Sequence, residues 1–451
     1  MKPLVLVTAP IATRSGYGSH SRDIVHSLLD MDKFDVRVMS VRWGNTSMNA
    51  LNKNNPKDKR IIDIIMSDDR MERQPDIHIH IVVPNEFMNV GKFNIGITAG
   101  IETTGCVHEW IQGCNRMDLI IVPSEFTKKV FLDTVFQSQN DKTGQKGPDL
   151  KIEKPIEVLF EGVDLNIYKK TNEFSEDLVK EFEQISERFN FLYTGHWLQG
   201  NLGEDRKDTG MLVKVFLETF KNVENPPGLI MKTSGATFSI IDREECLSKL
   251  RDIKSTVKGR LPNIYLMHGD FSDDEMNQLY NHPKVKAHVS LTHGEGFGRP
   301  LLEATLSEKP VIASNWSGHV DFLDKSYSTL LPGSLSAVPK GAFHEKMFLE
   351  GSQWFTVNYP NAGKVMMDIF KNQPKYLINA KKQSIVSKTF SLDNMTKKFD
   401  EIINTIHLDA WREYYEEQPQ EVKLQLPKLK KVDATKTTEK LDIKLPGLKK
   451  V

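Results

Sequence analysis

The feature that most restricts what this chain can fold into is a recurrence of short, unbroken apolar runs, each followed by a loop or a helix-like stretch. Leu4-Val5-Leu6-Val7 opens the series, a loop with Gly16 and Gly18 follows, and residues 21–29 read as a helix. Runs at 35–39, 77–83, 94–98, 119–122 and 156–160 repeat the arrangement. Apolar residues without polar alternation belong to strands covered on both faces, the condition of a parallel sheet with helices on either side. A second series starts at Asn190 and continues at 228–232, 264–267, 287–291, 310–313 and 328–331. The pattern predicts an α/β chain with two parallel-sheet units.

A length of 451 residues suits two such units, because single cores seldom grow beyond roughly 250–300 residues. The expected division is a Rossmann-like domain over 1–168 and a second over 169–385 facing it across a cleft. A helical segment over 386–417 then packs back on the first domain. Beyond residue 418 no aromatic residue remains and Pro427 and Pro446 stand among lysines, so a disordered tail over 418–451 is expected. Within it QLPKLKKV (425–432) recurs as KLPGLKKV (444–451), a duplicated linear motif suited to a protein partner. Lys plus Arg equals Asp plus Glu at 60 each, so no global field draws the chain to polyanions. Cys106, Cys114 and Cys246 fit no disulfide framework or close-spaced zinc pattern. The start lacks a basic and then apolar leader, and no run approaches the ~20 apolar residues of a membrane span. A reduced, cytoplasmic protein without a transmembrane segment is expected.

The strongest chemical signal is HGEGFGRPLLEATLSEKPVIAS, where Glu295 and Glu303 flank a glycine loop that runs into a helix. If the preceding strand ends at the cleft, Gly294, Gly296 and Gly298 let the backbone approach a diphosphate. The helix starting near Pro300 then turns its positive N-terminus toward it. Glu303, in that helix's first turn, is placed to accept hydrogen bonds from ribose hydroxyls. Glu295, in the loop, is nearer a transferred sugar, where it can bind hydroxyls or stabilise an oxocarbenium-like centre.

This segment resembles the E-G-F-G-x-P-x-x-E-A signature, followed by a P-V-I-A strand, of the glycogen-synthase-like retaining glycosyltransferases of GT-B fold (glycosyl transferases group 1). Glu295, Gly296, Phe297, Gly298, Pro300, Glu303, Ala304, Pro310, Val311, Ile312 and Ala313 carry the match. VPSEFTKKVF (122–131), VLFEGVD (158–164) and the N-terminal glycine loop extend it over about residues 1–410. Glu308 departs from it, standing where the family usually has glycine before Pro-Val.

The resemblance implies transfer of a sugar from a nucleotide-sugar donor to an acceptor hydroxyl, with retention and without a metal or other cofactor. It implies a basic pair for the donor diphosphate: Lys207 fills the lysine position, while His196 stands in the arginine's place and Arg206 or Arg299 supplies further positive charge. On the first domain, which is the acceptor side, Gly16 and Gly18 form the loop facing the donor phosphates or sugar. Glu102 or His108, after the strand at 94–98, binds the sugar or assists proton transfer, Glu102 being the first choice. Ser124 reads as a helix cap. The catalytic set is thus Glu102, Lys207 and Glu295, and the donor-binding set Gly16, Gly18, His196, Arg206, Gly296, Phe297, Gly298, Arg299 and Glu303. Glycan, protein, lipid-linked sugar and modified DNA base remain open as acceptors. The last, a phage-type activity, is one alternative; an inactive transferase fold that binds partners through its tail is another.

Overall fold

The protein is described here by a computed structural model covering residues 2–403 except 69, 140–145, 198–199, 201 and 236. The expected tail at 418–451 lies outside the described residues. The first half runs β1 (Leu4–Ala9), α1 (Gly16–Met31), β2 (Asp35–Ser40), α2 (Pro56–Ile62), β3 (Ile77–Ile81), β4 (Phe93–Ile97), α3 (His108–Asn115), β5 (Leu119–Val122) and α4 (Glu125–Asp133). A hairpin of β6 (Phe136–Gln139) and β7 (Lys146–Leu150) and the strand β8 (Ile156–Val158) complete it. The second half runs α5 (Glu176–Glu183), β9 (Asn190–His196), α6 (Thr209–Phe220), β10 (Gly228–Ser234), α7 (Ile240–Ser255), β11 (Ile264–Met267) and α8 (Asp273–Asn281). It continues with β12 (Val285–Val289), α9 (Arg299–Thr305), β13 (Val311–Ser314), β14 (Thr329–Leu331), the hairpin β15 (Gly333–Ala337) and β16 (Gln353–Val357), α10 (Tyr359–Ser387) and α11 (Leu392–Asp400).

The strands pair into two six-stranded sheets, ordered β2-β1-β3-β4-β5-β8 and β11-β10-β9-β12-β13-β14. Every pairing within these sheets is parallel. β1, β3, β4 and β5 are buried along their whole length, which is why they read as unbroken apolar runs. Phe191, Phe216, Phe220 and Ile369 join α6 and α10 to one side of the second sheet, while Leu192, Ile230, Leu301 and Leu302 build a separate core with α9. Both sheets lie in one compact unit, Met1–Leu408.

Two elements connect the halves. α11 packs on α1, where Ser27 and Thr396 share a hydrogen bond of 2.8 Å and Lys33 pairs with Asp400 at 2.7 Å. The β15–β16 hairpin reaches the first half through reciprocal bonds between Thr104 and Gln353 and a bridge between Cys106 and Phe348.

Candidate active site

In each sheet the strand order reverses beside one strand, β1 in the first and β9 in the second, and ligands of open α/β sheets bind outside the carboxyl ends of strands at such a point. In the second sheet the loops that leave β9 and β12 carry Arg206-Lys207 and Glu295. The Lys207 ammonium lies 2.6 Å from both oxygens of Glu295. Arg206 reaches across the cleft to Glu102 at 2.9 Å, stands 3.5 Å from Glu295, and donates to the Gly294 carbonyl at 2.9 Å. Residues from three segments distant in sequence thus meet as two cations and two carboxylates, each side chain at most 24% exposed.

This grouping sets the charge states. Burial alone would raise the Glu295 carboxyl, but the adjacent Lys207 and Arg206 outweigh it and hold it at about 2. Glu102, paired with Arg206 alone among the described residues, is pushed above the usual carboxylate range by burial, with Arg206 opposing and the Glu295 carboxylate adding to the rise.

A second cluster lies on α9. Arg299 crosses to Asp23 of α1 at 2.5 Å and also holds Glu303 at 3.2 Å, while the Tyr280 hydroxyl donates to the other Glu303 oxygen at 3.2 Å. Burial raises the Glu303 carboxyl to about 7 in spite of Arg299. The helix starts at Arg299, so Glu303 is its fifth residue and begins the second turn rather than lying in the first, as expected from the sequence. Arg299 is thus engaged by two carboxylates, Asp23 and Glu303.

The glycine loop is shaped by close backbone approach. A Cβ on Gly296 would stand 2.6 Å from the Ala99 carbonyl oxygen, and one on Gly294 2.7 Å from the Glu102 Cβ. Gly298 has a φ of 96° and caps α9. Phe297 is 2% exposed and packs on Phe322 at 5.0 Å, so its side chain anchors the loop in the core. Ser124 caps α4 as expected, and it also donates to the Gly296 carbonyl at 2.7 Å, tying the first half to the loop.

Gly16 and Gly18 lie inside α1 rather than in a loop before it, because the Ser15 hydroxyl caps the helix by accepting from the Gly18 N–H. A Cβ on Gly18 would meet the Thr13 carbonyl at 2.4 Å, whereas Gly16 has open space. His196 closes β9, is exposed, and has Ser234 Oγ at 3.4 Å from its Nδ1. His108 starts α3, is exposed and faces Glu109.

Sequence reasoning missed Asp23, Tyr280, Ser317 and Glu161. Ser317 holds φ 76° and ψ −166°, a region that is essentially glycine's, and its buried hydroxyl accepts the Glu295 N–H at 2.9 Å. Gly318 returns its N–H to the Glu295 carbonyl at 2.9 Å. Glu161, in the turn after β8, has no hydrogen bond or ion pair among the described residues; burial raises it to about 7, against Arg299. Nothing local in the sequence marks these residues, since Asp23, Tyr280 and Ser317 each act through a partner at least 22 positions away.

Among the described residues no group of three or more His, Cys, Asp or Glu is arranged to hold a metal ion. The three cysteines are buried and unpaired. No helix of the described residues is long and apolar enough to cross a membrane.

No curated protein sequence matches the chain. Solved structures do. HepE of Anabaena, in complex with UDP and glucose, superposes with a TM-score of 0.54 at 14% identity, over 89% of this chain and 99% of that one. A glycosyltransferase from Rickettsia africae gives 0.56 at 15%, over 92% and 100%. Sucrose-phosphate synthase from Thermosynechococcus elongatus gives 0.57 at 10%, over 93% and 100%. At such identities the likeness is one of fold. A family match adds to it: residues 215–335, which hold Glu295 and Glu303, match the family described as Glycosyl transferases group 1. Residues 215–335 are thus similar to the group 1 glycosyl transferases, and the described residues share the two-sheet GT-B architecture of these solved structures.

Proposed function

We propose that the protein transfers a sugar from a nucleotide-sugar donor to an acceptor hydroxyl, retaining the configuration at the anomeric carbon and using no metal. The observation that carries this reading is the meeting of Arg206 and Lys207 with Glu295 at the carboxyl ends of β9 and β12. Two cations in a low-dielectric cleft stabilise the negative charge that grows on a departing nucleoside diphosphate. Glu295 and Glu102 balance them within the protein, so the donor binds by exchanging its diphosphate for these partners. Glu303 then accepts from the ribose hydroxyls, and Glu295 lies against the transferred sugar. Retention follows from front-face attack, in which the leaving diphosphate takes the acceptor proton and no protein nucleophile is required. The cross-cleft pair of Asp23 with Arg299, which the donor leaves in place, holds the two halves together and helps to exclude water, which protects the donor from hydrolysis.

The complex of HepE with UDP and glucose makes UDP-glucose the first donor to examine. A thermal-shift series with UDP, GDP, ADP and CMP sugars tests the reading, followed by product analysis with the stabilising donor. At least one nucleotide sugar is expected to raise the melting temperature and to be slowly hydrolysed. A chain that none of them stabilises, and that turns none over, would not be a transferase.

A further inference from the structure

The longest helix carries a surface that the cleft does not use. Between Asp368 and Asp393 the chain has five lysines, Lys371, Lys375, Lys381, Lys382 and Lys388, and no acidic residue. In a chain whose charges balance overall, this is a strong local bias. All five are exposed, and so are Ile378 at 63% and Ile385 at 68%.

Beyond Asn372 the helical period puts most of them on one face. The steps 375, 378, 382 and 385 alternate three and four residues, as do 378, 381 and 385, and Lys388 caps the helix one turn further on, so the isoleucines stand in one row flanked by ammonium groups. Ala380, Gln383, Ser384 and Ser387 are buried on the opposite side against the body of the protein. α10 is kinked at Asn372 with Pro374 just beyond it, which sets the segment carrying both isoleucines apart from the turns packed on α6. The basic field extends beyond the helix. Lys170 is lowered by burial and by its neighbours Lys286 and Lys381, with Glu308 opposing. Asp368 is the acid closest in sequence, and it is occupied by Tyr376 and Asn372.

We propose that this face of α10 docks the protein on an anionic membrane surface, the lysines meeting lipid phosphates and Ile378 and Ile385 entering the boundary between headgroups and acyl chains. The charge bias calls for a polyanion, and the two isoleucines decide which one. A nucleic-acid backbone gains nothing from aliphatic side chains exposed to this degree, whereas an interfacial helix combines a basic flank with an apolar row. Peripheral attachment of this kind needs no spanning segment. It is independent of the donor reading, because none of these residues touches the cleft clusters.

Sedimentation of the full chain with vesicles provides the test. Vesicles of phosphatidylcholine containing about one third phosphatidylglycerol are expected to carry the protein down at low salt, and pure phosphatidylcholine vesicles are not. Raising the salt to about 0.5 M shortens the Debye length to a few ångströms and is expected to release it. The pairs Lys375→Glu with Lys382→Glu, and Ile378→Asn with Ile385→Asn, change exposed side chains and are expected to leave melting unaltered. Each pair should lower partitioning at least about tenfold. The idea is overturned if the wild type ignores anionic vesicles, or if it binds them equally well with all four changes present, since the lysines of the tail would then be responsible. Retention on duplex DNA that exceeds vesicle binding and survives the isoleucine changes would assign the face to nucleic acid instead.

Discussion

Glu303 and Glu295 differ by their partners more than by their burial. Both carboxyls are nearly enclosed, yet Glu295 has two cations beside it and is held at about 2, while Glu303 shares Arg299 with Asp23 and rises to about 7. Glu303→Ala is therefore expected to weaken donor binding by about 1–3 kcal/mol, the scale of hydrogen bonds to a charged acceptor; calorimetric titration that finds an unchanged affinity counts against the ribose assignment. The same carboxyl couples stability to pH. Its folded value lies above the ordinary 4.5, so its contribution is complete at low pH and is lost as pH rises through about 7. Relative to Glu303→Gln, the wild type should lose stability between pH 5 and pH 8, read from denaturant midpoints at each pH. Glu308 offers a separate test: it holds φ 60°, a left-handed position where an L side chain is strained. Glu308→Gly is expected to stabilise the protein by up to about 1 kcal/mol, and a lower midpoint in urea would contradict that.

The glycine loop before α9 is fixed by the loop after β13. Ser317 and Gly318 exchange hydrogen bonds with Glu295, and a Cβ on Gly318 would stand 1.9 Å from the Gly296 carbonyl oxygen. Gly318→Ala must therefore push the two loops apart, at a cost of about 1–3 kcal/mol in stability, the scale of overpacking. It should also displace Glu295 from Lys207, so turnover should fall further than Tm. The loop before α6 is the other half of this arrangement. Lys207→Ala is expected to reduce kcat more than it raises the donor KM, since the charge it faces grows as the bond breaks. Steady-state kinetics with the donor identified by thermal shift checks this, and a change confined to the acceptor KM would remove Lys207 from the diphosphate clamp.

At the scale of the molecule, the halves are joined by charges that a donor has to displace, Glu102 with Arg206, alongside pairs that remain, such as Asp23 with Arg299. Because the proposed mechanism assigns neutralisation of the diphosphate to Arg206 and Lys207, turnover is expected to survive EDTA. Loss of activity that manganese restores would defeat the metal-free mechanism.

The parallel sheets were legible because a strand covered on both faces has no polar positions to interrupt it, and the two series of apolar runs register that directly. The E-G-F-G segment was legible because close backbone approach, as at Gly294 and Gly296, tolerates no side chain and leaves glycines at fixed spacing. The pairing of Arg206 with Glu102 and of Arg299 with Asp23 was not, since each joins residues at least 104 positions apart, on opposite halves, and a charge carries no local mark of its partner. Phe297 shows the same limit from the other side: its place in the motif suggested a ligand contact, and packing against Phe322 put it in the core. Local periodicity and glycine spacing thus determined the fold class and the loop, while tertiary packing decided which charges are paired, which are buried, and so which carboxyl is ionised.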